Sequence, residues 1–361
     1  MRDSQTSARV RRAFFKHKLG MVGLIILAIL YLSILFADTI SPYNYLETHR
    51  NFEHVPPSRI YWKHEGEWKG PFVYGVKKVR DPETLAVSYQ EDRTKIYPIY
   101  WFTRGEAYRF LGLWETDFHL FGLGKEAKGF LFLFGADRFG RDVFSRILQG
   151  GRVSLTAGVI GTLISVVIGA IVGAISGYFG GWIDTLIQRF IEVLRSFPRI
   201  PLWLTLALIL PPGWPSTWVY LGIVVVLAFI GWMGVARVVR GMTLSLREKE
   251  FVIASRIVGQ SNFKIVTKHL LPNMMTYLVV VATLSIPGMI LGESAISFLG
   301  LGIKEPMTSW GLLLKQAQSL SEIGAHPWLM LPGIFIMISV LSFNFVGDAL
   351  RDALDPYRTV E

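Results

Sequence analysis

The chain has 361 residues, a formal net charge of +10, no cysteine and 51% hydrophobic residues. Only 18% of the residues are charged, against about a quarter in ordinary soluble domains, and the mean hydropathy is +0.40. These values exclude an ordinary soluble domain, including a soluble enzyme, and the absence of cysteine excludes disulfide bonds.

Charged residues are absent from five long stretches, and a membrane-spanning helix needs about 20 apolar residues. The stretch 200–236 is too long for one span, and it contains PPGWPST at 211–217, whose prolines and glycine break a helix. It therefore holds the end of one span and the whole of the next. The sequence predicts six spans, at 20–37, 153–177, 186–210, 217–236, 274–296 and 327–347.

The distribution of lysine and arginine predicts the orientation, because cytoplasmic loops are enriched in these residues. The N-terminal tail and the loop after the fourth span are both basic, and six spans put them on the same side. The net positive charge is then explained by the membrane orientation and by contact with anionic lipid and acidic partner surfaces, and binding of nucleic acid is a poor explanation of it. The predicted organisation is a cytoplasmic tail at 1–18, a first span at 19–37, an extracytoplasmic insert at 38–135, a membrane core at 136–347 with a cytoplasmic loop at 237–272, and a cytoplasmic C-terminal tail at 348–361.

The insert at 38–135 has an alternating apolar pattern around 71–102, which predicts strands or a compact α+β module. It is either a cap that packs on the membrane core or a docking platform for a delivered substrate. The residues leave both interpretations open.

The second and third spans carry two further patterns. In the second span, small residues recur at every fourth position and favour close helix packing, with a moving helix contact as the alternative: Gly161, Ser165, Gly169, Gly173 and Gly177. At the start of the third, Asp184, Gln188 and Glu192 are four residues apart, which predicts ordinary ion pairs on a helix that protrudes from the membrane.

The segment 250–273 is basic and amphipathic, and it lies between two apolar stretches. Helical spacing runs from Glu250 to Val258, Gly259 is a natural helix end, Ser261 is a suitable N-cap, and Pro272 is expected to open the fifth span. Two short helices joined at a glycine are marginal in water. The residues fit equally a docking surface for a partner and an amphipathic segment lying on lipid.

Few residues are candidates for chemistry. Glu293 ends the fifth span, and a lone carboxylate there lines a translocation pathway, binds a substrate ammonium group, or makes a structural ion pair or cap. His269 has no second metal ligand three or four residues away, so it is interpreted as a hydrogen-bonding residue and no metal site is predicted. The segment GLGKEAKG at 122–129 has the wrong spacing for a phosphate-binding loop, and HEGEW at 64–68 lacks the second histidine of a zinc protease motif.

The segment 250–272 resembles the EAA loop of permease subunits in ATP-binding-cassette (ABC) importers. In that loop Glu-Ala-Ala is followed by a glycine four residues on and later by His-x-Leu-Pro. Ala254, Gly259 and the HLLP at 269–272 match this pattern, whereas Ile253 and Ser255 replace the glutamate and the second alanine.

Four further blocks resemble the C-type permeases of dipeptide, oligopeptide and nickel importers. The strongest is GADRFGRDVFSRILQGGRVSL at 135–155; the others are RRAFFKHKLGMVGLIIL at 11–27, SFLGLGIKEPMTSWG at 297–311 and GDALRDALDP at 347–356. The resemblance covers the whole chain except most of the residues at 38–130. It implies the all-α type I ABC importer permease fold, with six transmembrane helices and the insert between the first two.

The resemblance also implies the partners and the site. The expected complex contains this permease, a second permease, two ATP-binding subunits and an extracytoplasmic substrate-binding protein, in a prokaryotic inner membrane with both termini cytoplasmic. This chain is then a transport subunit rather than an enzyme. It binds no cofactor, since ATP and Mg belong to the partner ATPases. The ATPase contact is assigned to Glu250, Ala254, Ser255, Arg256 and Gly259, and Glu293 is a candidate for the translocation pathway.

The substrate is less well determined than the class of transporter. Di- or oligopeptides are the first expectation, and oligosaccharides or nickel are the alternatives that the resemblance allows. The alternative of a different class is a secondary transporter or channel. Such proteins need ionisable residues within the membrane, and the centres of the predicted spans are nearly free of them.

Overall fold

The computed structural model describes residues 2–83, 87–110 and 112–355. Long helices dominate it, and five strands occupy residues 61–122. The chain divides into two compact units. One consists of residues 1–28, 154–303 and 336–361, and the other of residues 29–153 and 304–335. These are called the helical unit and the mixed unit below.

The α-helices are α1 Arg2–Lys16, α2 Lys18–Leu35, α3 Ala37–Ile40, α4 Val143–Phe179, α5 Gly181–Arg195, α6 Arg199–Leu208, α7 Ser216–Leu246, α8 Glu250–Ile257, α9 Asn262–Ile265, α10 Leu271–Phe298, α11 Trp310–Leu314, α12 Leu320–Ala325 and α13 Leu331–Leu354. A π-helical turn, Val266–Leu270, joins α9 to α10. Short 3-10 turns lie at Arg50–Phe52, Lys315–Ala317 and Pro327–Met330.

Within the described residues, five helical runs are long and apolar enough to cross a membrane: Lys18–Leu35, Val143–Phe179, Ser216–Leu246, Asn262–Phe298 and Pro327–Leu354. They coincide with five of the six predicted spans. The last of them continues to Leu354, so the first residues of the predicted C-terminal tail are helical. Residues 356–361 of that tail lie outside the described residues.

The predicted third span, 186–210, is wrong as a single helix. Helix α5 ends at Arg195, and α6 begins at Arg199. Pro198 has no N–H to donate, and a residue before proline is disfavoured in the helical region, so the helix breaks at Phe197. Helix α6 has ten residues and is therefore about 15 Å long, half of a membrane's hydrocarbon thickness.

The fifth span also begins differently from the prediction. Pro272 lies in the first turn of α10, as predicted, but the helical run extends further back, through the π turn and α9, to Asn262. A proline inside a helix leaves one carbonyl without its usual donor, and a wider turn accommodates it. Here Leu271 N donates to Val266 O, five residues back, and Asn273 Nδ2 donates to His269 O at 2.6 Å.

In the helical unit, the small residues of α4 pack against α7. A Cβ added to Gly169 would lie 2.7 Å from Trp232 O, and one added to Gly177 would lie 2.7 Å from Arg240 O. The Ser165 hydroxyl donates to a carbonyl of α7 at 3.2 Å. The prediction of close helix packing along this face is therefore confirmed.

Helix α5 is held to α7 by an ion pair. Both carboxylate oxygens of Asp184 accept from the Arg240 guanidinium at 2.5 Å, and Ser176 Oγ donates to Asp184 at 2.5 Å. The hydrogen bonds from Arg240 lower the pKa of Asp184, and the bond from Ser176 adds to this effect. Within the predicted stretch Arg189 Nη1 donates to Glu192 Oε2 at 2.8 Å, which confirms an ordinary ion pair there, whereas the partner of Asp184 lies on α7.

The mixed unit contains the insert, which is mainly β. Strands β1 Tyr61–His64, β2 Glu67–Arg80 and β3 Val87–Pro98 form an antiparallel sheet in that order, and β4 Tyr100–Phe110 pairs with β5 Trp114–Gly122. In the β2–β3 ladder Val73 pairs with Tyr97, and the register shifts after Tyr74. A small core is buried beneath the strands, formed by Val73, Ile99, Leu123 and Leu131.

Candidate functional site

The candidate site is the helical hairpin at residues 250–270, which is named the α8–α9 hairpin here. Helix α8 ends where Gly259 adopts a left-handed conformation with φ of +81°. Gly259 N donates to Arg256 O at 3.0 Å and Gln260 N to Ser255 O at 3.1 Å, the bonds that close a glycine-ended helix. Ser261 Oγ then accepts from Lys264 N and caps α9. The predicted helix, glycine end and cap are confirmed.

One face of the hairpin is buried in the helical unit. Val252, Ile265 and Leu270 have no exposed surface and belong to a core cluster that also contains Tyr178 and Val239. Burying a large aliphatic side chain contributes about 1.5–3 kcal/mol. The hairpin is therefore fixed to α4 and α7 by apolar contact.

Polar contacts also hold the hairpin against the helical unit. The Tyr178 hydroxyl donates to Asn262 Oδ1 at 2.9 Å, and the Arg256 guanidinium lies 5.4 Å from the centre of the Tyr178 ring. His269 Nε2 lies 3.0 Å from Gln260 Oε1, which ties the turn after Gly259 to the helix that follows. The interpretation of His269 as a hydrogen-bonding residue is confirmed.

The other face of the hairpin is exposed and apolar. Ile257 and Val258 are each 80% exposed and Phe263 is 77% exposed. Ala254 and Gly259 are also exposed, and a Cβ added to Gly259 would meet no atom within 4 Å. Adjacent apolar side chains at this level of exposure are typical of a contact surface for another molecule.

The structure brings the five predicted contact residues together on this hairpin. Glu250, Ala254, Arg256 and Gly259 are exposed, and Ser255 is half-buried, with its hydroxyl donating to a backbone carbonyl of α8 at 2.7 Å. Three basic residues and one acidic residue lie in the hairpin, 250–270, so it combines a net positive charge with exposed apolar side chains. Such a surface is complementary to a partner with acidic and apolar groups.

Glu293 lies elsewhere in the helical unit, on α10. Its side chain is fully buried, Ser154 Oγ donates to Oε2 at 2.8 Å and Ser297 Oγ donates to Oε1 at 2.7 Å. These hydroxyls stabilise the carboxylate and tie α10 to α4, which favours the structural interpretation of this residue. A role of Glu293 in the translocation pathway stays a prediction.

The mixed unit contains a buried ionic cluster that the sequence did not predict. Arg146 is fully buried, and its Nη2 donates to Glu305 Oε1 at 2.7 Å. Arg141 makes ion pairs with both Asp137, at 2.8 Å, and Glu305, at 3.0 Å. Burial raises the pKa of Asp137, but Arg146 and Arg141 outweigh it and hold that pKa below its usual value.

This cluster, named the Arg146 cluster here, joins two of the blocks on which the resemblance depends. The first block supplies Asp137, Arg141 and Arg146, and the second supplies Glu305. The indole of Trp310 also donates to Ile147 O at 2.9 Å. The signal available in the sequence was the opposite charge of Asp137 and Arg141 four residues apart; nothing in it identified the distant partner.

Asp142, next to this cluster, caps α4. Its Oδ2 accepts from Ser145 N at 2.9 Å and from Ser145 Oγ at 2.6 Å. Burial nevertheless raises the pKa of Asp142 to about 6. The carboxyl group is thus a good cap placed where its charged form is disfavoured.

Comparison with known proteins identifies the family. A family model described as "Binding-protein-dependent transport system inner membrane component" matches residues 154–359. A second, described as "N-terminal TM domain of oligopeptide transport permease C", matches residues 5–57. The first matched range lies within the regions that carry the resemblance in the sequence, and the second extends from the N-terminal block into the first residues of the insert.

Individual relatives agree with these models. The oligopeptide transport system permease protein OppC of Haemophilus influenzae is 44% identical over 243 residues, which are 67% of this chain and 75% of that protein. The dipeptide transport system permease protein DppC of Bacillus subtilis is 42% identical over 62% of this chain and 68% of that protein. An inward-facing structure of the MetNI methionine ABC transporter aligns with 58% of this chain and 96% of its own, with a TM-score of 0.45 and 20% identity.

The first family model covers more than half of the residues, and it includes the α8–α9 hairpin and the helices that hold it. The chain therefore belongs to the family of binding-protein-dependent transport system inner membrane components.

Proposed function

We propose that this protein is a permease subunit of an ATP-driven importer and forms half of a translocation pathway with a second permease. Two ATP-binding subunits drive the complex from the cytoplasm, and an extracytoplasmic binding protein delivers the substrate. ATP and Mg bind in the partner subunits, since the sequence of this chain contains no phosphate-binding loop motif.

The observation that carries this proposal is the α8–α9 hairpin. It is fixed on one face by Val252 and Ile265 and leaves Ile257, Val258 and Phe263 exposed on the other. An apolar surface of this kind is buried in the assembled state of a protein. We assign it to an ATP-binding subunit, because the surrounding charge is basic and because Ala254 and Gly259 allow close approach.

The hairpin is connected in a way that transmits force. Helix α9 continues through the π turn into α10, so displacement of Asn262 moves a helix that extends to Phe298. Arg247 Nη1 donates to Gly177 O at 3.0 Å, which ties the end of α7 to α4 close to the hairpin. A push on the hairpin therefore acts on three long helices together, as rigid-body alternating access requires.

The proposed orientation places the hairpin and both termini in the cytoplasm of a prokaryotic cell. It is supported by the basic residues of the N-terminal tail and of the segment 237–268. We propose di- or oligopeptides as the substrate. The support is that relatives sharing 42–44% identity are named dipeptide and oligopeptide permeases.

The coupling assignment is tested by Ala254→Trp in the full complex reconstituted in proteoliposomes. Thr185→Trp is the matched control, since Thr185 is an exposed helical residue outside the hairpin. We expect Ala254→Trp to abolish both uptake and substrate-stimulated ATPase activity while its membrane insertion stays normal, and Thr185→Trp to retain both activities. Undiminished uptake in Ala254→Trp would contradict the assignment.

The transport class and the substrate are tested with the same vesicles. Uptake of labelled tri- and hexapeptides is measured with the ATPase subunits present, with them omitted, and after collapse of the proton gradient. We expect uptake only with ATPase subunits and ATP, independent of the gradient. Gradient-driven uptake without the ATPase subunits would indicate a secondary transporter. Uptake of oligosaccharide or Ni²⁺ instead of peptide, measured in the same vesicles, would contradict the proposed peptide substrate.

A further inference from the structure

Three metal-ligating side chains meet in the mixed unit, outside the site described above. His54, Glu322 and His326 each offer one ligand atom, and these atoms lie within 4.8 Å of one another. They are named the His54 cluster here. His54 follows the 3-10 turn of the insert, whereas Glu322 and His326 lie on and just after α12, so the cluster joins two distant parts of the sequence.

The spacing of the cluster is close to that of a metal site. Glu322 Oε2 lies 3.8 Å from His54 Nδ1 and 3.9 Å from His326 Nε2. Ligands of a tetrahedral zinc ion at about 2.0–2.1 Å are about 3.4 Å from each other. Small rotations of the three side chains therefore suffice to bring them into ligand geometry.

The cluster lacks the hydrogen bonds expected of buried polar groups. His54 Nδ1, Glu322 Oε2 and His326 Nδ1 are buried and have no hydrogen-bond partner within the part of the chain that the structure describes. Buried polar atoms in native proteins are nearly always satisfied by protein, water or an ion. A cation bound by both His54 Nδ1 and Glu322 Oε2 would satisfy these two atoms directly.

The two histidine rings lie side by side. Their centres are 3.9 Å apart, and one nitrogen of each ring lies within 4.8 Å of the other ligand atoms, so one ion can contact both rings. Neutral imidazole is the form that binds metals.

Each ligand is held in place by its own backbone. His54 has a φ of +57°, rare for a residue with a side chain, and its N–H donates to Asp137 O at 3.0 Å. Ser319 caps α12 by accepting from Glu322 N, and His326 N donates to Glu322 O at 2.7 Å. The backbone that carries each of the three side chains is therefore fixed before any metal binds.

We propose that His54, Glu322 and His326 form a binding site for a divalent transition metal, with zinc as the first candidate. Two imidazoles and one carboxylate suit Zn²⁺ and similar ions rather than Ca²⁺ or Mg²⁺. The Glu322 side chain is 44% exposed, so the cluster lies close to the protein surface. In a chain without cysteine, the metal supplies a cross-link between the insert and the segment around α12.

The proposal is tested by Zn²⁺ titration of the full chain in nanodiscs, with a chromogenic chelator as competitor and any affinity tag removed. Substitutions His326→Ala and Glu322→Gln are compared with wild type, and the latter keeps the size of the side chain. The matched control is His64→Ala, a histidine of the same unit outside the cluster, which lies 2.9 Å from the Tyr74 hydroxyl.

We expect one Zn²⁺ per wild-type chain and an affinity at least about 100-fold lower in both cluster variants, since even second-shell changes cost 10- to 100-fold. Zn²⁺ is also expected to raise the thermal unfolding temperature of wild type and His64→Ala, but not of the cluster variants. Absence of binding to wild type, or unchanged affinity in Glu322→Gln or in a folded His326→Ala, would overturn the proposal.

Discussion

The α8–α9 hairpin exposes apolar side chains to solvent, whereas the Arg146 cluster buries charged ones. The hairpin keeps large apolar side chains such as Ile257 and Phe263 in contact with solvent. The Arg146 cluster removes charged side chains from solvent, with Arg146 fully buried and Asp137 nearly so. Both arrangements are unfavourable unless something compensates for them.

The difference lies in where the compensation comes from. In the Arg146 cluster it comes from the same chain, through ion pairs of 2.7–3.0 Å to Glu305 and Asp137. For the exposed face of the hairpin, our proposal is that it comes from an ATP-binding subunit. The cluster is therefore expected to govern the stability of the isolated chain, and the hairpin to govern activity in the complex.

The largest expected effect is the loss of stability in Arg146→Ala. Removing one partner of a buried ionic cluster leaves uncompensated charge and costs about 3–5 kcal/mol. Chemical unfolding of the purified chain in detergent measures this loss. The matched control is Arg138→Ala, an exposed arginine of the same block, for which we expect almost no change. Equal stability of the two variants would remove the distinction between the two regions.

The next effect concerns the pH dependence that Asp142 introduces. Its pKa of about 6 in the folded chain exceeds the value of about 3.9 for an unfolded aspartate. The contribution of Asp142 to stability is thus fully present below about pH 3.9 and is lost as the pH rises through about 6. Asp142→Asn keeps an oxygen to cap α4, and we expect it to gain on the order of 2 kcal/mol over wild type at neutral pH.

Unfolding of both proteins at pH 4 and pH 7 measures this difference, which should narrow at the lower pH. Asp137→Asn serves as a control of opposite sign, because the folded-state pKa of Asp137 is lowered. The stability that Asp137 provides is present above about pH 3.9 and is lost as the pH falls below that value. A wild-type chain that is more stable than Asp142→Asn at pH 7 would contradict the prediction.

A smaller effect on stability, but a clear one on activity, is expected for Gly259→Ala. A side chain at φ of +81° costs about 1–2 kcal/mol, which corresponds to roughly a 5- to 30-fold decrease in the ratio of native to non-native hairpin. Substrate-stimulated ATPase activity of the complex is expected to fall, by at most that factor. Gly241→Ala adds the same methyl group at an exposed position on α7, and its activity is expected to stay normal. Similar activities of the two variants would argue against a role of the hairpin in coupling ATP hydrolysis to transport.

The smallest effect is expected for Tyr178→Phe, which removes the bond to Asn262 Oδ1. The net loss of stability is about 0.5–1.5 kcal/mol and is confined to the contact between the hairpin and α4. Hydrogen exchange at residues 250–265 is expected to accelerate by roughly 2- to 12-fold, while exchange in the rest of the helical unit is unchanged. Tyr277→Phe, on a ring that packs against the same core cluster, is the control, and equal acceleration in it would argue against a specific tie.

The sequence by itself determined the local features of this protein. Charge-free stretches located five of the long helices, because about 20 apolar residues in a row are what a helix needs to cross a membrane. Gly259 and Ser261 fixed the turn of the hairpin, since each has a backbone role that few other residues can fill. The insert was recognised as containing strands, although its pairing was not.

Only the tertiary structure decided which distant residues meet. Arg146 with Glu305 and His54 with His326 are contacts between segments far apart in the chain, and periodicity carries no information on such pairs. The same holds for Glu293, which is buried among serine hydroxyls of α4 and α10. The break at Pro198 and the continuity through Pro272 differ for the same reason: packing and local hydrogen bonds decide whether a helix ends at a proline or adapts to it.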